Sequence, residues 1–255
     1  MNPLLATATT PTTAWVKYYR ISRIIFHTFI GLIIAAFGWP FLSNTRKNKL
    51  AQWWCCGLLS CFNFQLVTKG VLPLANTRGT LFVANHISWS DIHALNSVIP
   101  IRFIAKSEIQ SWPVFGYLVR KSGTLFINRA SRKDAARIVG LATDALKAGD
   151  NCGFFPEGTT TVGTHVLPFK ASVLQAAIDA SAMIQPLVIR YPDANNQPNT
   201  RVAYAGNTTM AESMRAILSM QAPVVELHFL PAIAAKNHTR QALAQLLHQQ
   251  IAAQI

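Results

Sequence analysis

Beyond residue 78 the sequence alternates between two kinds of segment. The runs 80–84 (TLFVA), 101–105 (IRFIA), 124–128 (TLFIN), 152–155 (CGFF), 186–191 (PLVIRY), 201–205 (RVAYA) and 224–230 (VVELHFL) are short and rich in β-branched or aromatic residues, as buried strands are. Helical patterns separate several of them. Ser131 with Asp134 three residues on is a capping signal, followed by Ile138, Leu141, Ala142, Ala145 and Leu146 and by Gly149 as a stop. Thr209 with Glu212 opens a second helix in the same way, and residues 239–255 close the chain as an amphipathic helix. Apolar strands interleaved with helices imply an α/β fold: a mostly parallel mixed sheet flanked by helices. In such sheets reactive groups gather at the carboxyl ends of strands, where loops begin.

The first third of the chain is different. Residues 1–90 contain no Asp or Glu, yet carry Lys17, Arg20, Arg23, Arg46, Lys47, Lys49, Lys69 and Arg78. The formal net charge of the whole chain is +13. Residues 24–42 are apolar except for His27 and Thr28, close to the ~20 residues a spanning helix needs, and Pro40 should end or kink that helix. Residues 49–67 form a second apolar, aromatic-rich run, separated from the first by the polar, basic hinge 43–49. We read residues 1–68 as membrane-associating helices, either a hairpin entering one leaflet or a short span with an interfacial helix, and residues 69–255 as the α/β domain. A buried helical pair of a soluble domain is the alternative. A cleaved signal peptide fits poorly, because the apolar run starts late and no small-residue cleavage site follows it. A nucleic-acid partner is disfavoured, because the basic residues interleave with long aliphatic runs and no recognition motif is present. Cys55, Cys56, Cys61 and Cys152 lack the paired spacing of a zinc site and read as reduced, buried hydrophobes, so no metal is expected.

Three stretches concentrate polar groups at strand ends. In 83–95 (VANHISWSDIHAL) a strand delivers His86 and a short helix starting near Ser90 carries Asp91. A bend between them brings the carboxylate back to the ring, fixing its tautomer and leaving the other nitrogen as a base. A capping aspartate and a satisfied loop histidine are the plain alternative. In 122–131 a strand ends at Asn128 and Arg129, whose guanidinium matches phosphate oxygens, although a solvated basic helix start reads equally well. In 152–172 a buried strand runs into Pro156, Glu157, Gly158 and a run of threonines, with Lys170 further on. Amides of that turn suit an anion or oxyanion, and Glu157 either accepts from a substrate hydroxyl or pins the loop through backbone amides.

Together these stretches resemble the glycerolipid acyltransferases typified by bacterial 1-acyl-glycerol-3-phosphate acyltransferase. NHISWSD (85–91) matches that family's N-H-x4-D block, GTLFINR (123–129) its G-x-x-F-[IV]-x-R block, and FPEGT (155–159) its F-P-E-G-T block, while IQPLVIRY (184–191) is similar to a weaker fourth block. The resemblance covers residues 70–230 in order and spacing, and the N-terminal apolar pair is similar too. It implies that His86 takes the proton of the acceptor hydroxyl and that Asp91 orients His86. It implies that Arg129 holds the acceptor phosphate, and that Glu157, Gly158 and Thr159 shape the acceptor or oxyanion region. Lys106 matches a basic position between the first two blocks. Many members carry an arginine after the Gly-Thr of the third block, where this chain has Thr160.

The expected reaction is therefore transfer of a fatty acyl group from acyl-CoA or acyl carrier protein to a lysophospholipid hydroxyl, foremost 1-acyl-glycerol-3-phosphate, giving phosphatidic acid. Thr160 brings in a competitor, O-acylation of a lyso-amino-acid lipid of the ornithine type. A thioester is already activated, so no cofactor is expected. Ser88 and Ser90 lie inside the first block, but no G-x-S-x-G elbow is present, which favours direct transfer over an acyl-enzyme. The expected partners are membrane lipids and the thioester donor, and the expected location is an inner membrane with the site on the cytoplasmic side. The reading from another class is a non-catalytic basic protein that clusters anionic lipid.

Overall fold

The computed structural model describes residues 10–128 and 131–255. Helix α1 (Ala14–Ile33) continues through a π turn, Ile34–Gly38, and a 3-10 turn, Trp39–Phe41. The helix stops around Pro40, whose ring cannot be accommodated in a continuing α-helix. Ala14–Phe41, 28 residues, is long and apolar enough to cross a membrane by length and composition. Its buried stripe is Arg20, Ile24, His27, Gly31 and Ala35, at helical spacing, while Trp15, Ile25, Phe26, Phe29, Phe37 and Phe41 are exposed.

Helix α2 (Asn44–Phe62) packs back on α1. The polar stretch 43–49 is not a hinge. Ser43 Oγ accepts from the Arg46 amide at 3.4 Å, so the basic residues form the first turns of α2. Nor is 49–67 one helix. Asn63 adopts a left-handed conformation (φ 60°), which asparagine tolerates, and ends α2; strand β1 (Gln65–Gly70) follows. The division expected after residue 68 falls inside that strand.

The remaining elements are β2 (Thr80–Ala84), α3 (Ser90–Val98), β3 (Arg102–Lys106), α4 (Phe115–Lys121), β4 (Leu125–Ile127), α5 (Arg132–Lys147), β5 (Cys152–Phe154), α6 (Leu174–Asp179), β6 (Met183–Arg190), α7 (Met210–Leu218), β7 (Val224–Phe229), β8 (Ile233–Ala234) and α8 (Arg240–Ala252). The expected caps are present: Ser131 Oγ accepts from the Asp134 amide, and Thr209 with Glu212 forms a full capping box. Residues 201–205, expected as a strand, do not join the sheet. Thr200–Val202 is a 3-10 turn, and Tyr204 donates its amide to the Ile87 carbonyl at 2.9 Å, lying over the loop after β2 instead.

Among the described residues the sheet has eight strands in the order β1-β7-β6-β2-β5-β3-β4, with β8 beside β6. Strands β2 to β6 run parallel; β7 is antiparallel to β6, and β1 follows β7. This is the mostly parallel mixed sheet the alternation implies. All of β2 is buried, and its side chains alternate between two cores. Leu81 and Val83 pack with α5, α6 and α8, and Phe82 and Ala84 with α2, α3 and α7. Because β6, β2 and β5 are parallel neighbours, their carboxyl ends release His86, Glu157 and Tyr191 side by side.

Candidate active site

Asn85, almost fully buried, directly follows β2. Its side chain donates to the Ile189 carbonyl at 2.9 Å and accepts from the Ile189 amide at 2.8 Å, standing in for ladder bonds to β6. With that pairing taken over by a side chain, the backbone can turn out of the sheet at His86. The turn is fixed from β5: the His86 amide donates to Glu157 Oε1 at 2.7 Å, and the His86 carbonyl accepts from the Thr161 amide at 2.8 Å.

The bend folds Asp91 onto the imidazole. His86 Nδ1 lies 2.8 Å from Asp91 Oδ2. That oxygen also accepts from the Ile87 amide at 2.7 Å and the Ser88 amide at 3.0 Å, and Oδ1 accepts from the Tyr191 hydroxyl at 2.6 Å. A fully buried carboxylate is costly unless its lone pairs are matched by donors, and here both oxygens have them. Phe155 stacks on the His86 ring, centroids 3.9 Å apart at 7°, and Phe103 stacks behind Phe155 at 5.5 Å. The ring plane is therefore held by packing and the tautomer by Asp91. Among the described residues no hydrogen-bond partner reaches Nε2, and His86 lines a mostly apolar cavity.

That cavity, about 400 Å³, extends from His86 between α1, α2 and α3 and under α4, past Trp54, Leu58, Phe62 and Leu118. Its wall is mostly apolar. A second histidine, His93, also lines it, but burial pushes its pKa down to about 4, with the Asp91 charge pulling the other way. His93 is therefore neutral and a poor base near pH 7.

Glu157 is buried and both its oxygens are used by the backbone: Oε1 by the His86 amide, Oε2 by the Leu167 amide at 2.8 Å. Burial raises its pKa, against the pull of those two amides. This geometry is the loop-pinning arrangement. Gly158 (φ 75°) provides the left-handed step that turns the chain along the cavity, where Gly158 and Thr159 are wall residues. Thr160, next to them, donates its hydroxyl to the Tyr204 carbonyl. Lys106, exposed at the end of β3, lines the same cavity. Arg129 lies outside the described residues. The structure thus brings His86, Asp91 and Glu157 into direct contact and Gly158, Thr159 and Lys106 onto one cavity. Among the described residues no three His, Cys, Asp or Glu side chains converge as metal ligands.

Sequence reasoning missed Tyr191, Asn85 and Phe155 as parts of this site. Tyr191 was legible in principle, as a polar aromatic at the end of a central strand next to the one carrying His86. Asn85 and Phe155 carry no local signal of their contacts.

A family model described as Acyltransferase matches residues 66–190. The 1-acyl-sn-glycerol-3-phosphate acyltransferase of Neisseria meningitidis serogroup B is 40% identical over 217 residues, 85% of this chain and 83% of that protein. The lyso-ornithine lipid O-acyltransferase of Pseudomonas aeruginosa is 31% identical over 240 residues, 91% of this chain and 90% of that protein. The crystal structure of the 1-acyl-sn-glycerophosphate acyltransferase PlsC from Thermotoga maritima shares the fold, with a TM-score of 0.66 at 20% identity over 92% of this chain and 95% of that one.

Proposed function

We propose, for a chain that belongs to the 1-acyl-glycerol-3-phosphate acyltransferase family, that His86 is the general base of acyl transfer to a lysolipid hydroxyl. The chain is a lysolipid acyltransferase; the residue roles, acceptor and donor that follow are our reading. One observation carries it: an imidazole anchored through Nδ1 to a buried carboxylate at 2.8 Å, on the wall of an apolar cavity.

The acceptor hydroxyl binds at Nε2. As it attacks the thioester carbonyl its proton passes to Nε2, and Asp91 stabilises the imidazolium. The carbonyl oxygen becomes an oxyanion, which the backbone of the Gly158–Thr159 turn receives. The tetrahedral intermediate expels the thiolate, and the proton on His86 goes to it, so the base is regenerated with each turnover. The thioester brings its own activation, and the chemistry needs no metal or cofactor. The apolar cavity takes an acyl chain and keeps water from competing with the lipid alcohol. Lys106 and Arg129 attract the anionic groups of donor and acceptor.

The foremost acceptor is 1-acyl-glycerol-3-phosphate, giving phosphatidic acid, and the donor is acyl-CoA or acyl carrier protein. A second acceptor class, the lyso-ornithine lipids, is favoured by Thr160, a neutral side chain occupied with the Tyr204 carbonyl, and by the name of the Pseudomonas relative. We place the enzyme on the cytoplasmic side of an inner membrane, held there by α1 and α2.

The test is turnover by purified protein with acyl-CoA and a panel of lysolipids. Ester should form with at least one acceptor and fall by about 10³-fold or more in His86→Ala, with membrane binding kept. Equal binding and no turnover in either protein would leave a lipid-clustering protein instead. In the same panel Arg129→Ala should raise KM for phosphate-bearing acceptors alone, and an unchanged KM removes that role.

A further inference from the structure

The His86–Asp91 pair is completed by a residue from a different element. Three donors crowd Asp91 Oδ2, and all three belong to the loop that carries His86 itself: His86 Nδ1 and the amides of Ile87 and Ser88. They move with the loop and tie the carboxylate only to its own surroundings. Oδ1 is held from outside, by the Tyr191 hydroxyl at 2.6 Å. Tyr191 directly follows β6, is 2% exposed, and has its ring edge-on to Phe64 at 6.2 Å. A phenol has one proton and accepts through its oxygen. With the proton given to Asp91, the oxygen accepts from Ser90 Oγ at 2.7 Å. Ser90 is buried too and opens α3.

We propose that Tyr191, backed by Ser90, is a positioning residue of the catalytic pair: it locks the Asp91 carboxylate to the central sheet and carries part of its charge. This rests on the reading of His86 as the base. Without the phenol, Oδ1 is a buried acceptor lacking its donor, and the carboxylate can rotate about its last torsion and pull the imidazole off line. The electrostatic part has a definite sign. Each hydrogen bond to a carboxylate draws negative charge away from its other partners. Removing the Tyr191 proton leaves more charge facing His86, favours the imidazolium, and makes the ring shed its proton at higher pH. Among the described residues, His93 from α3 is neutral, Glu157 from the loop after β5 bonds the His86 amide, Tyr191 stands after β6, and Lys106 from the end of β3 lines the same cavity and is common to every variant compared. Burial and the Asp91 charge keep the Tyr191 phenol protonated, so it remains a donor.

The experiment measures kcat/KM against pH for the detergent-solubilised chain with acyl-CoA and its best lysolipid, comparing the unaltered protein, Tyr191→Phe, Ser90→Ala and His86→Ala. Tyr191→Phe should lower kcat about 10-fold at pH 7, leave the acceptor KM within about 2-fold, and move the acid limb up by about 0.5–1 pH unit, so that activity partly returns at alkaline pH. Ser90→Ala keeps the phenol but weakens it as a donor, and should move the limb the same way by less. A purely structural tyrosine lowers activity and thermal stability with the acid limb in place, and that result overturns the proposal. If Tyr191→Phe does not fold, an unmoved limb in Ser90→Ala overturns it equally. Full activity in His86→Ala instead sinks the base reading, whereas its loss beside an unmoved Tyr191→Phe profile sinks only the role of Tyr191.

Discussion

Two imidazoles on one cavity differ because of what surrounds them. His86 has a carboxylate on one nitrogen; His93 sits among Trp54, Trp89 and the Cys55 sulfur and is held near a pKa of about 4. The consequence for stability has a fixed sign. Between about pH 6.5 and about 4 the unfolded chain binds a proton at His93 that the folded chain does not, so His93 makes stability fall as pH drops through that window. Glu157, with its pKa raised, acts oppositely, since the folded chain takes up its proton first as pH falls. His93→Gln should therefore flatten the drop in Tm between pH 6.5 and 4 measured by thermal unfolding; an equally steep drop would mean the burden lies on other groups. At this scale the site was half legible. His86, Asp91 and Glu157 announce themselves as polar groups at strand ends. Tyr191 announces itself only as a polar aromatic at a strand end, and Phe155 not at all, because their contacts to the first block depend on strand order, and a single sequence states the strands without their order.

The elements were most legible where the pattern is local. The helix opened by Ser131 and the one opened by Thr209 start where their caps are, and β2 is where its apolar run is. Errors fell where a distant partner decides. Residues 65–70 become a strand because β7 offers them a parallel edge, and 201–205 are drawn off the sheet by the Ile87 carbonyl. The hairpin of α1 and α2 also holds close approaches at two glycines, Gly31 against Trp54 and Gly57 against His27. His27 Nε2 lies 2.8 Å from the Trp54 carbonyl, its ring stacks on that indole, and it lies directly over Gly57, where any Cβ would meet it. Gly57→Ala forces the two helices apart and should cost about 1–3 kcal/mol, read as a lowered Tm. An unchanged Tm would show that the His27 ring can swing clear.

At the scale of the molecule, the charge and the apolar surface lie together. Phe37 and Phe41 are exposed at the end of the helical hairpin, and Arg46, Lys47 and Lys49 follow at the start of α2, with Lys47 over the Trp39 ring at 6.0 Å. Aromatic rings beside cations suit the headgroup zone of an anionic bilayer. Vesicles containing anionic lipid should therefore bind the protein more tightly than zwitterionic ones, with the difference shrinking as salt rises, and Phe37→Ser with Phe41→Ser should weaken both. Equal binding to both vesicle types at low salt would remove the electrostatic part.

Arg20 gives this arrangement its kinetic meaning. Its guanidinium donates to the Met220 carbonyl at 2.6 Å and the Gln221 carbonyl at 2.5 Å, fastening α1 to the turn before β7. Because α1 also walls the cavity that reaches His86, the membrane location proposed above predicts that lysolipid enters from the lipid film and that product returns there. Velocity should then follow the mole fraction of lysolipid in the film. Adding inert detergent at constant lysolipid molarity should slow turnover by surface dilution.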